Sequence, residues 1–97
     1  MIEDQLAEDA RLLVLQELAK QRDARLNEVA LARVLDVHGI ARTQLWLRQQ
    51  LSTLVELGAI QVDTIGELRV ATLRQTGRAH VDRRQVLEGV SRPADVA

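Results

Sequence analysis

The chain contains no cysteine, phenylalanine or tyrosine. Without thiols it can form no disulfide, offer no thiolate to a metal and supply no sulfur nucleophile. A cysteine-free composition fits a reducing compartment. Trp46 is the one aromatic residue, so the core must come from Leu, Val, Ile and Ala, a composition that favours helices. No apolar run approaches the ~18 residues of a membrane span. The N-terminal residues are acidic and helix-like, unlike a secretory signal. The expectation is a soluble intracellular protein with no membrane partner.

An excess of either charge is also missing. The 97 residues carry a formal net charge of −1, which is not the bulk signature of a nucleic-acid binder. The charges are nevertheless unevenly placed. Glu3, Asp4, Glu8, Asp9 and Glu17 crowd the start, whereas Arg74, Arg78, Arg83 and Arg84 lie towards the end. Such asymmetry can steer a partner locally. It also lets the basic end balance the acidic first helix, which is the reading favoured for those four arginines. The length sets one domain with a single modest core, assigned to residues 1–90 with a loose tail over 91–97.

The hydrophobic spacing predicts a first helix over residues 2–21, with acids early and Lys20 late, as the helix dipole prefers. Leu12, Leu15, Leu18 and Ala19 form one apolar side. Ile2, Leu6, Ala10 and Leu13 form a second, nearly opposite. A helix apolar on two sides needs two things to pack against. One is the domain core. The other is the C-terminal helix or a second copy of the chain, which would make a homodimer through Ile2, Leu6, Ala10 and Leu13. Leu26 falls in a short extended segment. Asn27 then caps a second helix that stops at Gly39, with Ile40 plugging the core. Thr43 caps a third helix, whose inward face is Leu47, Leu51 and Leu54, flanked by Val55 and Leu57. Leu45, Arg48, Gln49, Ser52 and Glu56 point away from it, and Gly58 ends it. Two β-branched runs around Ile65-Gly66-Glu67 read as a hairpin. Residues 74–89 return to helix, with Ala79, Val86, Leu87 and Val90 as a weak apolar face.

The fold expected is therefore mainly α with a small β-hairpin, in the order α-α-α-β-β-α. At this size that order resembles a winged helix-turn-helix domain. The junction LVELGAIQV over residues 54–62 resembles the passage from third helix to wing in such domains. LRQTGR, residues 73–78, is similar to the L-T-x-x-G-R stretch that follows the wing in many bacterial winged-helix regulators, with Arg74 in place of threonine. The opening IEDQLAEDARL further resembles small winged-helix proteins of Mu-like transposable phages and prophages, which are similar to arsenic-repressor-type regulators. The resemblance implies a phage-encoded DNA-binding protein, a transcriptional regulator whose third helix, residues 42–57, enters the major groove.

On that resemblance the candidate DNA-binding residues are Arg42, Thr43, Gln44, Arg48, Gln49, Ser52 and Arg69. Arg can pair with guanine and Gln with adenine through two hydrogen bonds. Arg42 and Thr43 stand where a helix start favours phosphate, and Arg69 lies on the wing. The same face also describes a protein contact, and the alternative is an adaptor that binds a host or phage protein without DNA. Trp46 reads as a half-buried packing residue. His38 and His80 are isolated and lack the spacing of a metal site. No cofactor and no catalytic constellation is expected.

Overall fold

A computed structural model describes residues 2–94. Seven elements follow in order: α1 (Ile2–Lys20), β1 (Arg25–Asn27), α2 (Glu28–Val37), α3 (Gln44–Glu56), β2 (Ile60–Ile65), β3 (Leu68–Leu73) and α4 (Gln75–Val81). The fold is mainly helical, with one small three-stranded antiparallel sheet ordered β1-β3-β2.

The local signals act where the sequence places them. The Asn27 side chain accepts from the Ala30 amide at 2.9 Å, and Thr43 Oγ1 accepts from the Trp46 amide at 3.0 Å. Each cap satisfies a backbone donor that the first helical turn leaves unpaired. Both helices also end alike. The Gly58 amide donates to Val55 and the Ala59 amide to Leu54, as the Gly39 amide donates to Asp36 and that of Ile40 to Leu35. Gly58 has φ +75°, a left-handed conformation that a side chain would strain. The next residue in each case, Ile40 or Ala59, is then turned into the core.

The core joins α1 (Ala10, Val14, Leu15, Leu18) to α2 (Leu31, Leu35), α3 (Leu47, Leu51, Leu54) and the sheet (Ile60, Ala71, Leu73). Leu47, Leu51 and Leu54 are buried as their spacing requires, but Val55 is largely exposed.

Three expectations need correction. The sheet, expected as a hairpin alone, has a third strand: the extended segment expected at Leu26 pairs with β3 in the register Arg25↔Thr72, Leu26↔Ala71 and Asn27↔Val70. Strand pairing across more than 40 residues leaves no local trace. The last helix, expected over 74–89, stops at Val81. Arg83 takes φ +64°, its amide donates to His80 and the Arg84 amide to Ala79. Leu87 and Val90 reach the core from the turn that follows, while Val86 stays exposed. Finally, Ala10 lies within the chain's own core at 0% exposure, so it has no surface to give a second copy. Leu6 and Leu13 are half-buried against the same core, and only Ile2, 89% exposed, faces outward.

The second side of α1 is occupied in part by the chain's own C-terminal segment. Arg11 donates to the Gly89 carbonyl at 2.7 Å, and the Ser91 amide donates to the Glu8 carbonyl. Ser91 Oγ also bonds Asp9. Ser91, assigned to the loose tail, is therefore docked; residues 95–97 of that tail lie outside the described residues.

Candidate functional site

The seven residues singled out in the sequence lie just before α3, along it and on β3, in three different circumstances. Gln44, Gln49 and Ser52 are exposed on α3. Gln49 and Ser52 lie on the side away from Leu47, Leu51 and Leu54, and Gln44 is exposed in the first turn. Arg42 and Thr43 precede the helix. Thr43 is its cap, and Arg42 places Cζ 5.9 Å from the Trp46 ring centroid and Nη2 3.6 Å from Glu3. Trp46 is half-buried against the core. Arg48 and Arg69 are half-buried between α3 and the hairpin.

Arg48 corrects the expectation that it faces solvent. Its Nε donates to Glu28 Oε1 at 2.8 Å and its Nη2 to Glu28 Oε2 at 2.9 Å. Nη2 also reaches the Glu67 carbonyl at 3.2 Å. Glu28 is 2% exposed and accepts a third bond from the Arg69 amide at 2.8 Å. Hydrogen bonding from Arg48 holds the Glu28 carboxyl below the usual glutamate range. Burial opposes this, and the Arg69 amide reinforces it. Arg48 therefore already has a fork-to-fork partner of its own.

The space between α3 and the hairpin forms two open clefts. One, about 470 Å³, is lined by Gln44, Arg48, Thr64, Glu67 and Arg69. The other, about 280 Å³, continues past Arg48 and Arg69 to Ser52, Val55, Glu56 and Val62. The structure thus brings Gln44, Arg48, Ser52 and Arg69 to one trough. Gln49 lies on the adjoining exposed surface of α3. Arg42 lines a separate, more apolar groove of about 340 Å³ between α2 and α3, with Val29, Leu35, Ile40, Trp46 and Leu47 among its walls.

The trough is electrostatically mixed. Arg48 is neutralised by Glu28, and Glu56 and Glu67 offset Arg69. Its chemistry suits hydrogen bonding through the Gln44 amide and the Ser52 and Thr64 hydroxyls, with a single guanidinium for an anionic group. Among the described residues no cluster of three or more His, Cys, Asp or Glu could hold a metal ion. No described helix is long and apolar enough to cross a membrane.

Four residues with defined partners were not readable as such, Glu28 and Thr64 at the trough and Gln50 and His80 away from it. Glu28 appeared only as a first-turn acid behind the Asn27 cap. Gln50, buried, accepts from Arg11 Nε at 2.9 Å and donates to the Trp46 carbonyl, tying α3 to α1. His80, 1% exposed, links α4 to the C-terminal turn through Leu87 and Ser91. Thr64 enters the trough because it faces Arg69 across β2 and β3. Only the Thr64–Arg69 pairing had a sequence signal, namely the hairpin centred on Gly66.

No family model, curated protein or solved structure matches this chain.

Proposed function

We propose that the chain is a winged helix-turn-helix DNA-binding protein, a phage- or prophage-encoded transcriptional regulator acting in a bacterial cytoplasm. In this reading α2 and α3 are the helix-turn-helix, α3 enters the major groove and β2–β3 is the wing. One observation carries it: Gln44, Gln49 and Ser52 stand exposed on a single helix, beside a hairpin that presents Arg69 across a trough. Glutamines on a groove-sized helix can read adenine edges, and Arg69 can meet phosphate. Arg48 is removed from the set of base readers and Gln44 and Gln49 take its place. A homodimer belongs to the same reading, with Ile2 as its exposed apolar contact, because two copies double the phosphate contacts. Sedimentation of the wild type beside Ile2→Asp tests it; a wild type that stays monomeric at high concentration ends that part.

The test of DNA binding is a fluorescence-anisotropy titration at low salt, where electrostatic attraction is strongest. The probes are a duplex from upstream of the chain's own gene and a random duplex. Gln44→Ala and Gln49→Ala should each weaken the cognate complex by about 1–3 kcal/mol and leave the random duplex unchanged. No binding to either duplex at low salt would sink the proposal.

A second reading is a protein-binding adaptor on the same scaffold. It is favoured by the apolar groove between α2 and α3 and by Leu45 and Val37, which are 67% and 83% exposed. Exposed apolar side chains grouped near a groove are a feature of protein contacts. Absence of DNA binding together with a partner lost on Trp46→Ala would favour this reading.

A further inference from the structure

The β1–β3 pairing stops one residue short of where its register leads. Asn27 pairs with Val70, so the next opposed residues are Glu28 and Arg69. The Leu73 amide donates to the Ala24 carbonyl at 2.9 Å. In an antiparallel ladder such bonded pairs recur at every second residue, at 26/71 and then at 28/69. The Arg69 amide thus points toward the β1 side and needs an acceptor there. The chain, however, turns into α2 at Glu28, and the helix takes that residue's backbone away. The Glu28 side chain replaces it: Oε2 accepts the Arg69 amide at 2.8 Å.

The same carboxylate is gripped from α3. Arg48 holds both its oxygens and extends Nη2 to the Glu67 carbonyl in the hairpin turn. The hairpin therefore meets the helical body through two polar links beyond β1, one at Arg69 and one at Glu67, and both run through the Glu28–Arg48 pair. The hairpin residues beyond these links, Thr64, Ile65 and Gly66, are exposed.

We propose that Glu28 is the positioning residue of the hairpin: its carboxylate stands in for the missing strand residue and, with Arg48, fixes the hairpin against α3 so that Gln44 and Arg69 face one ligand. The proposal rests on reading this trough as the DNA surface. Glu28 itself is buried and touches no ligand. Its effect on binding comes from holding two reading elements at one spacing, which lowers the ordering cost at association.

Two variants separate positioning from simple stability. Glu28→Gln keeps the shape and removes the charge. Glu28→Leu with Arg48→Met replaces the buried pair by apolar side chains of similar size, an exchange that often preserves folding. Amide hydrogen exchange by NMR is read at Arg69 and, as a reference for global opening, at Leu31 and Leu54. Affinity for the upstream duplex is measured in parallel. In the double variant the reference amides should match wild type, Arg69 should exchange roughly tenfold faster, and duplex affinity should fall roughly tenfold. Glu28→Gln should show the same excess loss at Arg69 over any change in the reference. Native-like protection at Arg69 in both variants would overturn the clamp. A loosened hairpin with unchanged duplex affinity would overturn its role in binding. A wild type that binds no duplex defeats the DNA reading instead, and the exchange data still decide whether Glu28 holds the hairpin.

Discussion

A carboxylate that is 2% exposed stays charged only if its partners replace the water it has lost. Glu28 achieves this with three hydrogen bonds, two of them from a guanidinium. The bonds lower its pKa, so its contribution to stability has a definite sign. It is fully present above the unfolded-state value of about 4.3 and is lost as pH falls through the lower folded-state value. Glu28→Gln should therefore be less stable than wild type by about 1–3 kcal/mol near neutrality. The gap should close progressively below about pH 4.3. Urea titrations of both proteins across that range check it, and a gap constant with pH would contradict the ionised pair. His80 solves the same problem without charge. The Leu87 amide can only donate, so Nδ1 accepts at 3.0 Å, and Nε2 carries the proton it gives to the Ser91 carbonyl at 2.8 Å. His80→Ala should cost about 2–4 kcal/mol, through two orphaned backbone groups and a cavity. Equilibrium unfolding measures it. Neither role was legible in the sequence. Asn27 and Thr43 were, because a cap bonds an amide three residues away. Glu28 finds its partners 20 and 41 residues away, and no local pattern encodes that.

Helix ends show the same limit at the next scale. α2, α3 and α4 all finish with a left-handed residue and paired back-donations to the last turn. In the first two that residue is glycine, the natural occupant, and the ends could be read. In α4 it is Arg83, so nothing in the sequence marks the stop, and apolar residues at 86, 87 and 90 falsely extend the helical pattern. Gly77 carries a different message. It sits inside α4, where alanine would favour the helix by about 1 kcal/mol. A Cβ there would run into the Ala59 carbonyl oxygen and lie 2.8 Å from Leu73 Cδ1. The first neighbour is backbone and cannot swing aside. Gly77→Ala should thus destabilise the fold by a net ~1–3 kcal/mol, despite its better propensity. Thermal unfolding checks the sign. The glycine of the LRQTGR stretch therefore has a physical reason in this chain: it lets α4 seat against the junction between α3 and β2.

For the whole molecule, a net charge of −1 limits what any nucleic-acid complex can gain from phosphate neutralisation. On the proposed surface Arg42 and Arg69 are the cations not held by a buried carboxylate. If each copy contacts two phosphates through them, the slope of log affinity against log salt should be about −2 per copy. A much steeper slope would mean that another basic surface, such as the arginines after α4, takes part. The overall plan of helices and hairpin was legible because it follows local periodicity and turn residues. The pairing of the third strand was not, since its partner lies more than 40 residues away, and the C-terminal wrap was legible only as one of two candidates for the second apolar side of α1.

That wrap has a consequence for how the protein is made. Arg11 and the Gly89 carbonyl it holds are 78 residues apart, and Ser91 and Asp9 are 82 apart. During synthesis α1 emerges well before Leu87 and Val90, which join the same core. Until those residues follow, the side of α1 that they cover is open to misassembly.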